Sequence, residues 1–350
     1  MSDIGEFVQQ IKKNSRRKNQ NPNKPAGCWS EDDLINGRKT KSLVVILRTS
    51  GCRWSRYSGC TMCGYFNDSL EKPVERGQLL AQMRYALSLY KNEQGIKIFT
   101  SGSFLDGEEI PYDLQVDLLK QCVQKVGVKK VSVESRPEFI KKEKIANLRD
   151  VIEPATLEVS IGLESADDKV LRGAVNKGFT FKDYEKAVDI LKKEGVLVKT
   201  YVLIKPPFLS EGDAIADSVN TVKKIKELTD TVSFNPVSVH RNTLVEYLWK
   251  RGGYRPPWLW SIVEILKRSK EVAPDLEMKC DVTGGGTRRG AHNCRACDAQ
   301  VLDAIRRFSL EQDTGVFNGL ECQCKHTWKT SIDLESFTYS PLVVGYEKGW

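Results

Sequence analysis

The sequence predicts an α/β protein: a partial (β/α)6, TIM-like barrel followed by a small C-terminal cysteine-rich module. Three observations carry that expectation. From residue 42 onward, six short runs rich in Val, Ile and Leu alternate with segments of helical spacing. Each run reads as nearly continuously apolar, as strands do in a parallel sheet covered by helices. The polar residues suited to chemistry fall just past the ends of these runs, where right-handed crossovers gather them on one face.

Residues 1–41 read as a basic N-terminal arm and lead-in. Lys12, Lys13, Arg16, Arg17, Lys18 and Lys24 stand in an Asn-rich, weakly hydrophobic stretch. It suits either phosphate contacts or a solvated, frayed terminus. The barrel is expected over residues 42–275. Its first strand is 42–48 (SLVVILR), followed by a loop with three cysteines and a helix over 78–90. A second strand at 96–100 ends in Ser-Gly-Ser, and a helix over 114–126 leads to a third strand at 130–133. The fourth strand is 157–163, followed by a helix at 181–193 that Gly195 closes. A fifth strand at 197–204 stops at Pro206-Pro207, and a helix over 214–228 precedes the sixth strand at 232–239. Residues 276–350 read as an appended module, with a Gly284-Gly285-Gly286 opening and five cysteines within residues 280–324.

Composition narrows the class. With 40% hydrophobic and 29% charged residues and no run near the roughly 18 apolar residues of a membrane span, a soluble chain is expected, with no membrane partner. The start MSDIGEFVQQIKK has no apolar stretch or cleavage site of a secretory signal, so a cytoplasmic enzyme is expected. In a reducing compartment ten cysteines in spaced clusters read as metal ligands before disulfides.

Cys52, Cys60 and Cys63 occupy the loop after the first strand. Three thiolates leave the fourth iron of a [4Fe–4S] cubane without a protein ligand. That open iron can chelate S-adenosylmethionine, whose one-electron cleavage gives methionine and a 5′-deoxyadenosyl radical. A zinc site would call for a fourth ligand, and the first histidine is far along the chain at His240.

With these residues in place, the stretch from about 42 to 260 resembles the radical S-adenosylmethionine enzymes, especially the branch of the elongator-type tRNA acetyltransferases. The resemblance implies further cofactor contacts. Ser101-Gly102-Ser103 stands at the turn that meets the methionyl amino group. Glu134 stands near the ribose. Glu164 takes a position where the branch usually has Gln, and Lys177 one where relatives carry an Arg for the methionyl carboxylate. Met62, at a place usually aromatic, and Tyr65 flank the third cysteine on the cofactor side.

Cys294, Cys297, Cys322 and Cys324 form two close couples separated by a helix-like insert, a pattern for structural Zn2+ or a second iron–sulfur cluster. Cys280, His292 and His326 are spare candidates. Cys28 and Cys122 read as packing residues. The segments RTSGCRW, GCTMCGYFND, GGGTRRGAHNCRACD and LECQCKHTW resemble the family of archaeosine-biosynthesis radical proteins. That resemblance implies a tRNA substrate with a lysine-adducted 7-deazaguanine at position 15. It also implies a lysine-transferring partner subunit, an electron donor and lyase-type cleavage of the adduct's C–N bond. Lys205, His240 and Arg241, past strands five and six, are then candidates for the lysyl carboxylate, and Arg288-Arg289 for RNA contact. Two other readings stay open: another radical tRNA modification such as methylthiolation, and a non-catalytic iron–sulfur tRNA-binding protein.

Overall fold

Eight strands form one sheet in chain order: β1 (Gly27–Ile35), β2 (Arg38–Ile46), β3 (Gly95–Phe99), β4 (Lys130–Ser135), β5 (Thr156–Glu164), β6 (Leu197–Ile204), β7 (Thr231–Pro236) and β8 (Glu277–Cys280). The computed structural model describes residues 3–13 and 20–338. From β2 to β8 every pairing is parallel, whereas β1 pairs antiparallel with β2. Among the described residues no ladder joins β8 to β1, so the barrel is partial.

The expected strands correspond to β2–β7, and the sheet extends beyond them at both ends. Before β2, the dipeptide Asn36-Gly37 takes positive φ at both residues, 51° and 70°. This is the two-residue turn whose twist matches that of the flanking strands. It turns part of the expected lead-in into strand β1. Past residue 275, β8 lies within the stretch read as an appended module. The helix Asp298–Glu311 packs on β8, and its Val301, Ile305 and Phe308 join the main core.

The near-continuous apolar reading of the strands holds for one face only. Leu43, Val45, Ile96, Ile98, Val131, Val133, Val159, Ile161, Val198 and Val232 face the surrounding helices and form the core. Alternate positions carry charges into the barrel interior, where they pair. Lys97 bonds Glu31 at 2.7 Å and Asp33 at 3.0 Å, and Lys279 bonds Asp33 at 2.5 Å and Glu277 at 3.1 Å. Glu158 takes Lys199 at 2.7 Å and Lys130 at 3.0 Å. Four lysines thus face four carboxylates, so the lower interior is electrically balanced. The Lys279–Asp33 bond and a second from Lys279 to the Leu34 carbonyl at 3.2 Å link β8 to β1 where the ladder does not. Such buried pairs add modest net stability, but removing one partner is costly.

The N-terminal segment is a docked helix rather than a solvated arm. In Asp3–Lys13, Val8 is buried and Phe7 meets Tyr247 edge to face at 5.1 Å. Gln9 and Lys12 donate to carbonyls of the cysteine loop, as described below. Arg16, Arg17 and Lys18 lie outside the described residues; Lys13 and Lys24 are exposed.

Candidate functional site

Chain direction places the loops after every parallel strand at one mouth, and the three-cysteine loop follows β2 there. Cys52 caps the short helix Arg53–Tyr57, and its N–H donates to the Ser101 carbonyl at 3.2 Å, tying the loops after β2 and β3 together. The rest of the loop is clamped to the segment after β5. Leu171–Val175 makes a π-helical turn, and Asn176 leaves it in the left-handed conformation at φ 56°, which short polar side chains tolerate. Asn176 Nδ2 then donates to Ser58 Oγ and to the Gly59 carbonyl, both at 2.8 Å, while Trp54 Nε1 donates to the Asn176 carbonyl at 2.8 Å. Thr61 completes the clamp through Oγ1 to the Ala174 carbonyl at 2.6 Å. From outside, Gln9 donates to the Ser55 and Ser58 carbonyls and Lys12 to the Ser55 carbonyl. Lys12, grouped in the sequence with phosphate-binding candidates, therefore serves as a latch on this loop.

None of the three cysteines is in a disulfide. Burial pushes the thiols of Cys60 and Cys63 up, Cys63 to about 12; at Cys60, Lys177 and Arg136 pull the other way. A bound cationic group is what would hold such thiols as thiolates. Among the described residues, the three sulfurs are not drawn together within 4.8 Å, as ligands of one ion would be.

The turn after β3 forms the floor. Gly102 leaves no room for a side chain: a Cβ there would lie 2.0 Å from Glu109 Oε2 and 2.7 Å from the Cys52 nitrogen. Glu109 accepts from Thr49 Oγ1 and from the Ser103 N–H at 2.7 Å. Burial raises its carboxyl to about 7, against the pull of those bonds. Ser101 and Ser103 are both buried, and Ser103 Oγ accepts the Arg136 N–H at 3.2 Å. Glu134, at the end of β4, is also raised by burial to about 7, with Tyr201 and Lys199 opposing. Glu164 ends β5 at φ 75° beside a register shift, and its Oε1 lies 2.6 Å from Lys177 Nζ. The structure thus brings Glu164 and Lys177 together as a buried ion pair. Arg136 braces it by donating to the Lys177 carbonyl at 3.0 Å.

At the rim, Met62 packs against the apolar cluster that includes Val175, Leu203 and Val239, and Tyr65 opens the helical turn Tyr65–Asp68. Tyr65 is 60% exposed, with Glu134, Glu164, Asp281 and Cys63 as its electrostatic neighbours. Its exposed face therefore looks into the barrel mouth. His240 follows β7 with its ring 5.8 Å from Tyr65 and Nε2 3.1 Å from Ser238 Oγ. Burial and Arg289 hold the His240 imidazole below its ordinary pKa. Arg241 is exposed beside it. Lys205 differs: it is buried and its Nζ bonds Glu211 at 2.5 Å, so its charge is committed inside the protein. Arg289 is likewise committed, to Glu246 at 2.7 Å, while Arg288 is exposed.

The second cysteine group converges. Cys294, Cys297, Cys322 and Cys324 place their sulfurs within 4.8 Å of one another, with separations of 3.9, 3.6 and 3.6 Å for three of the pairs. A tetrahedral ion with Zn–S bonds of about 2.3 Å needs sulfur separations of about 3.8 Å. Trp260 Nε1 donates to Cys324 Sγ at 3.2 Å and Asn293 Nδ2 to Cys297 Sγ at 3.4 Å, the outer contacts that orient metal thiolates. Cys280, His292 and His326 are not among the four: Cys280 is buried in the core and His292 Nδ1 lies 2.8 Å from the Gly290 carbonyl. Cys122 is likewise core packing. From this centre Trp328 donates to Ser261, Ser261 to Glu211, and Glu211 pairs with Lys205. The cysteine-rich part thereby buttresses the end of β6.

Sequence reasoning passed over Thr49, Trp54, Glu109, Asn176 and Asp281. Only Asn176 carried a local signal, as an Asn directly before Lys177 in a loop.

Residues 46–219 match the model of the Radical SAM superfamily. A protein of Methanosarcina acetivorans, archaeosine synthase subunit beta, is 40% identical over 343 residues, 97% of this chain and 99% of that one. Archaeosine synthase subunit beta of Thermococcus kodakarensis is 35% identical over 310 residues, 87% of this chain and 96% of that one. Among solved structures, methylornithine synthase aligns with a TM-score of 0.50 and 15% identity over 70% of this chain and 66% of that one, a likeness of fold.

Proposed function

The chain belongs to the radical SAM superfamily and, within it, to the family of archaeosine synthase β subunits; from that premise we propose that it acts on tRNA. The substrate in this reading is a tRNA carrying a lysine-adducted 7-deazaguanine at position 15. Breaking the adduct's C–N bond would leave the formamidine of archaeosine and a lysyl fragment oxidised by two electrons, with S-adenosylmethionine, converted to methionine and 5′-deoxyadenosine, as the overall oxidant. The observation that supports the reading most is the 40% identity over nearly the full length of both chains, spanning both cysteine groups.

Superfamily membership implies a [4Fe–4S] cluster and S-adenosylmethionine. The residues present fit them, with three undisulfided cysteines on one braced loop and a turn at Gly102 with no space for a Cβ. When bound and reduced, the pair supplies a radical able to take hydrogen from an unactivated carbon such as the lysyl ε-carbon. In this reading Cys52, Cys60 and Cys63 hold the cluster. Ser101, Gly102 and Ser103 offer the methionyl amino group a close backbone edge. Lys177 meets the methionyl carboxylate while staying paired with Glu164. Glu134 takes the ribose hydroxyls, and Met62 and Tyr65 border the adenine. His240 and Arg241 stand at the rim, with the exposed Arg241 suited to an anionic group of the substrate. Lys205 supports the rim through Glu211 instead of meeting substrate. The four converging cysteines hold one zinc, which braces the end of β6. Exposed Lys13, Lys24 and Arg288 are suited to phosphate contacts. The lysine-transferring subunit acts before this chain, and an external donor supplies the electron.

Anaerobic incubation of the reconstituted protein with reductant, S-adenosylmethionine and lysine-adducted tRNA, followed by nucleoside mass spectrometry, tests this. Archaeosine formation is expected. Cleavage of S-adenosylmethionine without archaeosine would overturn the substrate assignment. Failure to form 5′-deoxyadenosine at all would favour a non-catalytic role.

A further inference from the structure

Of the carboxylates Glu109, Glu134, Glu164 and Asp281 at the barrel mouth, Asp281 alone has no hydrogen-bond or ion-pair partner among the described residues. Along β8 and its exit, Lys279 turns inward to Asp33, Cys280 turns outward into the core, and Asp281 turns inward again. The Asp281 N–H is fixed to the Phe234 carbonyl at 3.1 Å. Its side chain is exposed and makes no hydrogen bond or ion pair with the described residues. It nonetheless has Tyr65, on the cysteine-loop side, as an electrostatic neighbour. Asp281 therefore borders the space enclosed by the strand ends.

The four lysines beneath are matched by Glu31, Asp33, Glu158 and Glu277. Of the other carboxylates near the mouth, Glu164 is paired with Lys177, and Glu109 is hydrogen-bonded beneath the Gly102 turn. Glu134 is engaged by Tyr201. Asp281 is reached by solvent yet ringed by the barrel wall, and that partial loss of hydration, with Glu31, pushes its carboxyl above its ordinary range, against Lys97, Lys199 and Lys279. A recessed carboxylate in this condition gains by acquiring a cation. A single carboxylate does not make a divalent-metal site, which draws on several oxygens. It suits a primary ammonium, a compact charge with three donors.

We infer that Asp281 binds the free α-ammonium group of the substrate's lysyl arm and sets the depth to which that arm enters the barrel. The inference rests on the functional reading above. It makes Asp281 a positioning and specificity residue, not one that touches the reacting carbon.

The test compares two tRNA adducts, one carrying lysine and one carrying 6-aminohexanoate, which lacks only the α-amine. Wild-type protein is expected to favour the lysine adduct by about 10- to 100-fold in kcat/KM, the range for a charge-assisted hydrogen bond. Asp281→Asn is expected to erase that preference, chiefly by raising KM for the lysine adduct, and Asp281→Glu to restore part of it. Iron content and S-adenosylmethionine affinity of each variant verify that the fold is intact. Equal use of both adducts by the wild type overturns the inference. So does an undiminished preference in a folded Asp281→Asn variant. A wild type that turns over neither adduct overturns the functional reading, and this inference with it.

Discussion

Removing the charge of Lys177 separates a structural role from a cofactor-binding one. Lys177 Nζ and Glu164 Oε1 are 2.6 Å apart, with side chains 9% and 10% exposed. At that distance, with an effective dielectric of about 20, the Coulomb attraction is about 6 kcal/mol. Desolvation of two charges offsets most of it, so the intact pair contributes little net stability. The single variant Lys177→Met leaves Glu164 buried and unpaired, which costs about 3–5 kcal/mol. The double variant Glu164→Gln/Lys177→Met removes both charges and is expected to recover most of that loss. If Lys177 also meets the methionyl carboxylate, affinity for S-adenosylmethionine does not recover with stability. Denaturant unfolding gives the first quantity and anaerobic equilibrium dialysis the second. A single variant within about 1 kcal/mol of wild type would contradict the buried-pair cost. A double variant that binds the cofactor as well as wild type would confine Lys177 to a structural role.

Three further outcomes are expected. Gly102→Ala forces a Cβ against Glu109 and the Cys52 nitrogen, at a cost of about 1–3 kcal/mol. The displaced Cys52 should lower iron retention after anaerobic reconstitution; full retention would show that the floor yields. The second outcome concerns acid. Burial alone would raise Asp33 and Glu158, but Lys97 and Lys279 at Asp33, and Lys199 and Lys130 at Glu158, hold both well below the ordinary carboxylate range. The folded state therefore binds fewer protons than the unfolded one, and this stability is present above about pH 4.5 and lost as pH falls. Melting temperature followed from pH 7 downward should drop there, less steeply in Glu158→Gln; identical profiles would contradict it. Third, metal analysis should find one zinc and about four irons per chain. Cys294→Ser/Cys297→Ser should lose the zinc while keeping most of the iron, and about eight irons in the wild type would assign a second cluster instead.

The barrel was legible because its outward strand faces are runs of Val, Ile and Leu, and the mouth because parallel strands deliver their following loops to one side. Strands 197–204 and the helix 181–193 coincide with the structure to the residue. The inward lysines were hidden by that same richness: in GIKIF and LVKTYVLI one charge among apolar neighbours reads as noise until Glu31, Asp33 and Glu158 are seen opposite it. Strand β1 was missed although Asn36-Gly37 is a strong hairpin signal, because WSEDD resembles a loop. The four-cysteine centre was readable from spacing alone. By contrast, the Asn176 clamp on the cysteine loop joins residues more than 110 apart, and Asp281 gains meaning only from the charges across the interior. The lysines of the N-terminal segment illustrate the limit of composition: Lys12 serves a carbonyl of its own chain.

The most direct measurement follows hydrogen. Lysine deuterated at its ε-carbon, installed in the tRNA adduct and incubated anaerobically with the reconstituted protein, should transfer deuterium to 5′-deoxyadenosine as archaeosine forms. Unlabelled 5′-deoxyadenosine formed alongside labelled archaeosine precursor would show that the barrel mouth does not present the lysyl ε-carbon to the radical.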